Sequence, residues 1–370
     1  MKFYTVRAAA AILFFMALAV SSASAQENNV REELETGLIA TPRQRAELFA
    51  RNGEWEELAA HARKWTREFP GESEAWRYLG RAHRERGGAQ AAVDAFSRAW
   101  ELSDKKNFRI IESIGDAYAD IKEWGEAEDA YRAAAKLRVR RGELWAKLAD
   151  VIFLRRAPGW REDAAETLKK VLSFGQYVND HGRWRQYAEI LDALDADLEK
   201  QYVAYRHVVR LKVRDIPAWE RLYEIEEARG RGERTEKIAS NLLRLDRQNA
   251  VANLHFGMRA LDGGQKKKAI EHLNIALENE GLPGPRRSRI YAALGDMHRR
   301  PAEALRFYRD AVKSDPANIA AWERAIVMLR GLNRRAEAQK VYEELLAAER
   351  KLKETGALSP ADADALLKTQ

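Results

Sequence analysis

Between residues 73 and 102, large apolar side chains stand at Trp76, Leu79 and Phe96, and small ones at Gly80, Ala92 and Ala99. His83 follows Leu79 among arginines. Spacings of three and four residues predict helices with one buried face. The same order of sizes returns along the chain. From residue 108 it reads Ile114, Gly115, Tyr118, Ala127, Tyr131 and Ala134. From 142 it reads Trp145, Leu148, Ala149 and Ile152, then three extra residues near "RAPGW", then Ala164, Leu168 and Val171. Further copies begin at 250 (Phe256, Gly257, Ala269, Leu273, Ala276), 288 (Tyr291, Leu294, Gly295, then Ala304, Tyr308, Ala311) and 319 (Trp322, Ala338, Tyr342, Leu345). Weaker copies start at 39, 181 and 216. The starts at 39, 73, 108 and 142 are 34, 35 and 34 residues apart, and 216 and 250 are again 34 apart. Nine units therefore cover about 39 to 352. A period of this length marks a repeat array, in which each unit buries its apolar face only by stacking on its neighbours.

The stretch from Ser73 resembles the tetratricopeptide repeat, whose pattern is W-x2-L-G-x2-Y followed by A-x3-F-x2-A. The resemblance implies an all-α solenoid, a right-handed superhelix of about nine units, each a pair of antiparallel helices joined by a short turn. It implies that Gly80, at the eighth position, faces Ala92, and that Ala99, Ala134, Ala276 and Ala311 lie where the next unit's first helix packs. His83 and His298 then fill the slot that the family usually gives to tyrosine. Trp76, Trp145, Trp184, Trp219 and Trp322 share the fourth position and read as core. Trp55 and Trp124 read as filler between units; Trp160, in the insertion, is either filler or a sugar-stacking ring.

The residues that would carry catalysis do not assemble. Neither His83 nor His298 has a histidine four residues on or an HExxH context, and GxSxG, Walker and GxGxxG motifs are missing. "HGRW" and "GRGERT" read as loops without phosphate-cradle spacing. The chain has no cysteine, which excludes disulfides, thiolate zinc sites and cysteine nucleophiles. The expectation is a non-enzyme without cofactor or metal.

The resemblance also implies that positions 2, 5, 9, 12 and 13 of each first helix line a concave groove. The first two units place Arg43, Arg51, Arg77, Arg81 and Arg84 there. The third offers Glu112, Asp116 and Asp120, and the fourth Asp150. The fifth and sixth add Glu189, Asp192, Glu220, Glu224 and Glu227. The seventh turns apolar with Leu254, Met258 and Leu261, and the last units return Arg299, Arg300 and Arg330. Blocks of one sign would raise the local potential and steer a complementary partner. The chaperone-binding carboxylate clamp of the family needs Lys and Asn where this chain has Arg77 and Arg81, so that function is not transferred.

Composition adds a location. The net charge is +7, or +5 without the two cations of the first 25 residues, and it is spread out rather than gathered as nucleic-acid binders gather it. Lys2 and Arg7 precede an apolar run of 13 residues, Ala8 to Val20, and Ala23-Ser24-Ala25 ends it as a small-x-small cleavage site. About 20 apolar residues are needed to span a bilayer, so this reads as a secretory signal cleaved after Ala25. Residues 26–38 read as a polar lead-in and 353–370 as a capping helix. The expected protein is periplasmic, without a transmembrane segment once the signal is removed. It is a scaffold for protein or peptide partners in the envelope, alternatively the soluble part of an envelope-assembly or exopolysaccharide-secretion complex. A peptidoglycan-active enzyme and a nucleic-acid binder are the weaker alternatives.

Overall fold

The structure, a computed structural model, describes residues 41–354. The signal, the lead-in and the part of the closing segment beyond Glu354 lie outside the described residues. Eighteen helices and no strand occur among those described. The chain divides into two compact units that meet in sequence at Asp195 and Ala196.

The first unit holds α1 (Pro42–Asn52), α2 (Trp55–Glu68), α3 (Ser73–Glu85), α4 (Ala89–Leu102), α5 (Phe108–Asp120), α6 (Trp124–Leu137), α7 (Gly142–Arg155), α8 (Trp160–Leu172) and α9 (His181–Ala193). The second holds α10 (Leu198–Leu211), α11 (Ile216–Ala228), α12 (Gly232–Leu245), α13 (Ala250–Asp262), α14 (Lys266–Leu277), α15 (Gly284–Met297), α16 (Pro301–Ser314), α17 (Ile319–Gly331) and α18 (Arg335–Glu354). Helix starts are written in the sequence. Thr41 and Gln44 form a capping box around α1, with Pro42 as its first residue. Asn107, Asp180, Asp215, Asn249 and Asn318 accept backbone N–H groups at the starts of α5, α9, α11, α13 and α17.

Packing follows the size code. A Cβ added at Gly80 would lie 2.7 Å from the Phe96 ring, so the glycine makes room for Phe96. Gly115 does the same for Tyr131 at 2.8 Å, Gly257 for Leu273 at 2.7 Å and Gly295 for Tyr308 at 2.8 Å. The eighth position of the repeat thus receives the large side chain at its position 24. Ala99, Ala134, Ala276 and Ala311 are fully buried, as a close approach by the next helix requires.

The fourth-position tryptophans do more than fill space. Each indole Nε1 donates to the carbonyl six residues earlier: Trp76 to Pro70 (3.0 Å), Trp145 to Val139 (2.9 Å), Trp184 to Val178 (2.9 Å), Trp219 to Val213 (2.8 Å) and Trp322 to Pro316 (3.0 Å). Asn253, at the fourth position from 250, donates to Arg247 in the same way (2.9 Å). These bonds tie each first helix to the turn that leads into it. Trp322 is buried, and the other four rings are partly so.

Three expectations change. "HGRW" is the first turn of α9, not a loop. α15 begins at Gly284, one turn before 288, and ends at Met297, so His298 lies past its end and stacks on Phe307 with centroids 4.8 Å apart. The insertion closes on two left-handed residues, Arg156 (φ 50°) and Gly159 (φ 75°), and Trp160 packs edge-on to Phe153 at 5.3 Å.

Candidate functional site

The first helices carry the charges that the sequence nominates, and the structure pairs most of them. Arg84 on α3 donates from Nε to Asp120 on α5 (2.6 Å) and from Nη1 to Asp116 (3.3 Å). Lys147 on α7 reaches α5 from the other side, to Asp116 (2.7 Å) and Glu112 (2.9 Å). Arg183 on α9 holds Asp150 on α7 (2.8 Å). In the second unit Glu224 accepts from Arg221 (2.8 Å) and Arg286 (2.9 Å), and Glu220 from Asn249 (2.7 Å). The expected blocks of separate sign are therefore corrected. In the first unit, cations of one hairpin neutralise anions of the next, because about one repeat length of chain returns them to adjacent first helices; in the second, Arg286 reaches Glu224 from two repeats away.

Asp116 also accepts the Tyr131 hydroxyl at 2.6 Å. The same triangle recurs in the second unit: Tyr308 donates to Asp296 at 2.7 Å, and Arg324 donates to the same carboxylate at 2.8 Å. Burial first, then the carboxylate, pushes both phenols above the usual tyrosine value, which keeps them neutral donors. Against Lys147, burial is outweighed by the hydrogen bonds and charges of Asp116 and Glu112, and the ammonium is held above its usual value.

The other nominated residues scatter. Arg43 pairs with Glu47 on its own exposed turn (3.2 Å), an arrangement that contributes little. Arg77 folds onto Glu74 (2.7 Å) and lies over the Tyr78 ring. Glu189 takes Arg185 (2.9 Å) and Arg300 takes Glu303 (3.2 Å). Arg299 sits in the turn after α15, off the helix expected to carry it. Arg51, Arg81 and Arg330 are exposed and have no carboxylate partner among the described residues; the Arg81 guanidinium lies 5.3 Å from the centre of the Trp55 ring.

One cavity gathers nominated residues with new ones. It lies in the second unit across α11, α12, α13 and α15, and has a volume of about 460 Å³. Leu254 and Met258 line it, with Glu227; all three were nominated by position. Tyr223, His255, Asp262 and Arg289 complete the wall. Tyr223 occupies the eighth position from 216, where the regular units have glycine, and Ala239, fully buried, stands at position 24. The large and small residues have exchanged places. The phenol consequently stands on the first helix, where it is 3.1 Å from His255 Nδ1 and 3.5 Å from Glu227 Oε1. Burial, then Glu227, pushes the phenol up to about 12. Burial holds the His255 imidazole below its usual value, so it is neutral near pH 7.

The family model for tetratricopeptide repeats matches residues 254–319, the span from α13 to the start of α17. That match falls on hairpins in which a glycine admits a large side chain, Leu273 at Gly257 and Tyr308 at Gly295, as recurs from residue 73 onward. The chain is a tetratricopeptide repeat protein. A second family model, for a bacterial transcriptional activator domain, matches residues 6–107 of this repeat protein. No curated protein matches the chain. Solved structures to which it is similar include YrrB, described as a tetratricopeptide repeat protein with an unusual peptide-binding site (15% identity, TM-score 0.39, 52% of this chain and 95% of that one). MamA is similar at 16% identity and TM-score 0.37, over 48% of this chain and 92% of its own. The C-terminal part of a repeat protein from Cytophaga hutchinsonii is similar at 12% identity and TM-score 0.41, over 76% and 98%.

The repeat register found Glu227, Leu254 and Met258 but missed Tyr223, His255 and Asp262. Tyrosine in a glycine position was the available signal. It marks a hairpin that packs differently and puts a polar ring where the others have only backbone. Among the described residues no cluster of His, Asp or Glu could hold a metal ion.

Proposed function

We propose that this repeat protein is a non-enzymatic scaffold of the bacterial cell envelope that holds a protein or peptide partner on its first-helix face. The observation that carries the reading is the cavity of about 460 Å³ in the second unit, where the neighbouring first-helix charges are mostly paired. A cavity of this size falls in the range of roughly 300–1,000 Å³ typical of ligand sites, and stacked hairpins offer a repeat protein an extended binding surface. Arg51 and Arg81 add two exposed cations without counter-ions on the same type of helix. The envelope address is supported by the leader-like pattern of residues 1–25, and no helix among the described residues is long and apolar enough to cross a membrane.

The test is affinity capture from envelope extract with the full-length chain, beside Arg51→Glu/Arg81→Glu and Met258→Glu variants. A partner retained by the parent and lost by at least one helical, folded variant is expected. Capture indifferent to all three substitutions would remove the reading.

The match of residues 6–107 to a transcriptional activator domain favours a second reading, an intracellular protein that relays contacts in gene regulation. Fractionation separates the two. A mature chain beginning at Gln26 in the periplasm supports export, and an intact chain beginning at Met1 in the cytoplasm supports the regulator.

A further inference from the structure

We propose that the cavity of the second unit receives a basic side chain, arginine or lysine, of the bound partner. This rests on the scaffold reading and names the chemistry that the site selects. Its lining includes the Tyr223 ring and two apolar side chains, Leu254 and Met258. Its wall carries three carboxylates, Glu227, Glu236 and Asp262, against two guanidiniums, Arg259 and Arg289. Arg259 is taken by Glu236. Arg289 forms a loose ion pair with Glu227 at 3.6 Å. Asp262 is exposed at the last residue of α13 and has no ion-pair partner among the described residues. His255, being neutral, adds no positive charge.

These facts discriminate between occupants. A carboxylate would enter a cavity with an excess of like charge. A neutral apolar group would cover Asp262 without pairing it, and burying an unpaired charge is costly. A long basic side chain satisfies both parts of the wall. Its methylenes lie on Tyr223, Leu254 and Met258 while its head meets Asp262 and Glu227, the two-part arrangement such side chains adopt at apolar surfaces with a polar edge. The aromatic face of Tyr223 adds a favourable contact for a cation.

Met258 is a built-in reporter, and the chain has only five methionines. The full-length protein, labelled with carbon-13 at its methionine methyls, is titrated with acetyl-Gly-Leu-Arg-Leu-Gly-amide and with the same peptide carrying glutamate or norleucine at its centre. The Met258 signal should shift and saturate with the arginine peptide, binding it about tenfold more tightly than either control, while Met328 on α17 stays still. Asp262→Asn with Glu227→Gln should remove most of that preference while leaving the helical circular-dichroism signal intact. Equal responses to the three peptides, no response, or a preference untouched by the double substitution would each overturn the assignment. Should envelope capture depend on Arg51 and Arg81 while Met258 ignores the arginine peptide, the scaffold reading stands and the pocket assignment falls. A selective response to the arginine peptide without any captured partner upholds the pocket assignment and removes the scaffold reading.

Discussion

The hairpin α5–α6 in the first unit and the hairpin α11–α12 in the second solve one packing problem in opposite ways. In α5–α6, Gly115 admits the Tyr131 ring, whose hydroxyl is consumed by Asp116, itself held by Lys147 and Arg84. In α11–α12, Tyr223 supplies the bulk from the first helix and Ala239 yields the space. The slot at position 11 differs as well. His83 half-fills it in the second repeat, whereas Glu226 occupies it from 216, fully buried, bonded to Arg229 at 2.8 Å and with Oε2 lacking a hydrogen-bond partner. In the regular hairpin the carboxylate nearest the ring is fully engaged by Tyr131, Lys147 and Arg84. In the reversed one the Tyr223 hydroxyl, Glu227 and the exposed Asp262 line a cavity, and Asp262 has no ion-pair partner among the described residues.

The comparison is broken most severely by undoing the exchange. Tyr223→Gly should destabilise the protein by about 3–5 kcal/mol, as removal of a buried ring does, and Ala239→Tyr should destabilise it by overpacking. Combined, the two should recover part of the loss, because they rebuild the glycine-and-ring arrangement of α5–α6. Urea unfolding of the four proteins measures this coupling, and strict additivity would show that the two positions do not share space.

Next comes the buried acid. Glu226→Ala removes one of the two carboxylates that hold Arg229, itself only 10% exposed and also paired with Glu199, and should lower stability by about 1–3 kcal/mol. Glu226→Tyr, which restores the family's usual residue, should be milder; chemical denaturation of both decides. In the regular hairpin, Gly115→Ala places a methyl 2.8 Å from the Tyr131 ring and should cost about 1–3 kcal/mol by overpacking, whereas Tyr223→Phe should leave stability within about 1.5 kcal/mol. Smaller still, Trp145→Phe removes the bond to Val139 and should cost about 0.5–1.5 kcal/mol, read as a modest fall in Tm.

The gentlest test is pH. His61, His83, His207 and His255 are all held below the usual 6.5, burial being the first cause for each. A folded value below the unfolded one means that the unfolded chain binds the extra proton. Stability should therefore be complete above about pH 6.5 and decline as pH falls through it toward the folded values. Tm measured from pH 7.5 to 5.5 should drop, and His255→Gln should flatten the drop. A Tm that rises on acidification would contradict the burial of these rings.

The periodicity of Trp, Gly, Ala and ring residues made the helical pairs legible, because side-chain volume at an interhelical contact tolerates few choices. Glu227, Leu254 and Met258 were legible as surface positions because the register carries them to one side of a first helix. The ion pairs were not. Arg84 and Asp120 are both first-helix residues of the right kind, and nothing in their order says that they meet rather than face a partner. The second role of Trp145 was also hidden, since the carbonyl it binds belongs to a turn whose path the residue types leave open.

By itself, then, the order of large and small residues determined that this protein would stack paired helices, since volume is a property that each residue brings with it. Only the tertiary structure decided which charges cancel, which glycine serves which ring, and where space is left. Those outcomes depend on distances of a few ångströms between side chains far apart in sequence, and Coulombic and packing energies change steeply over that range.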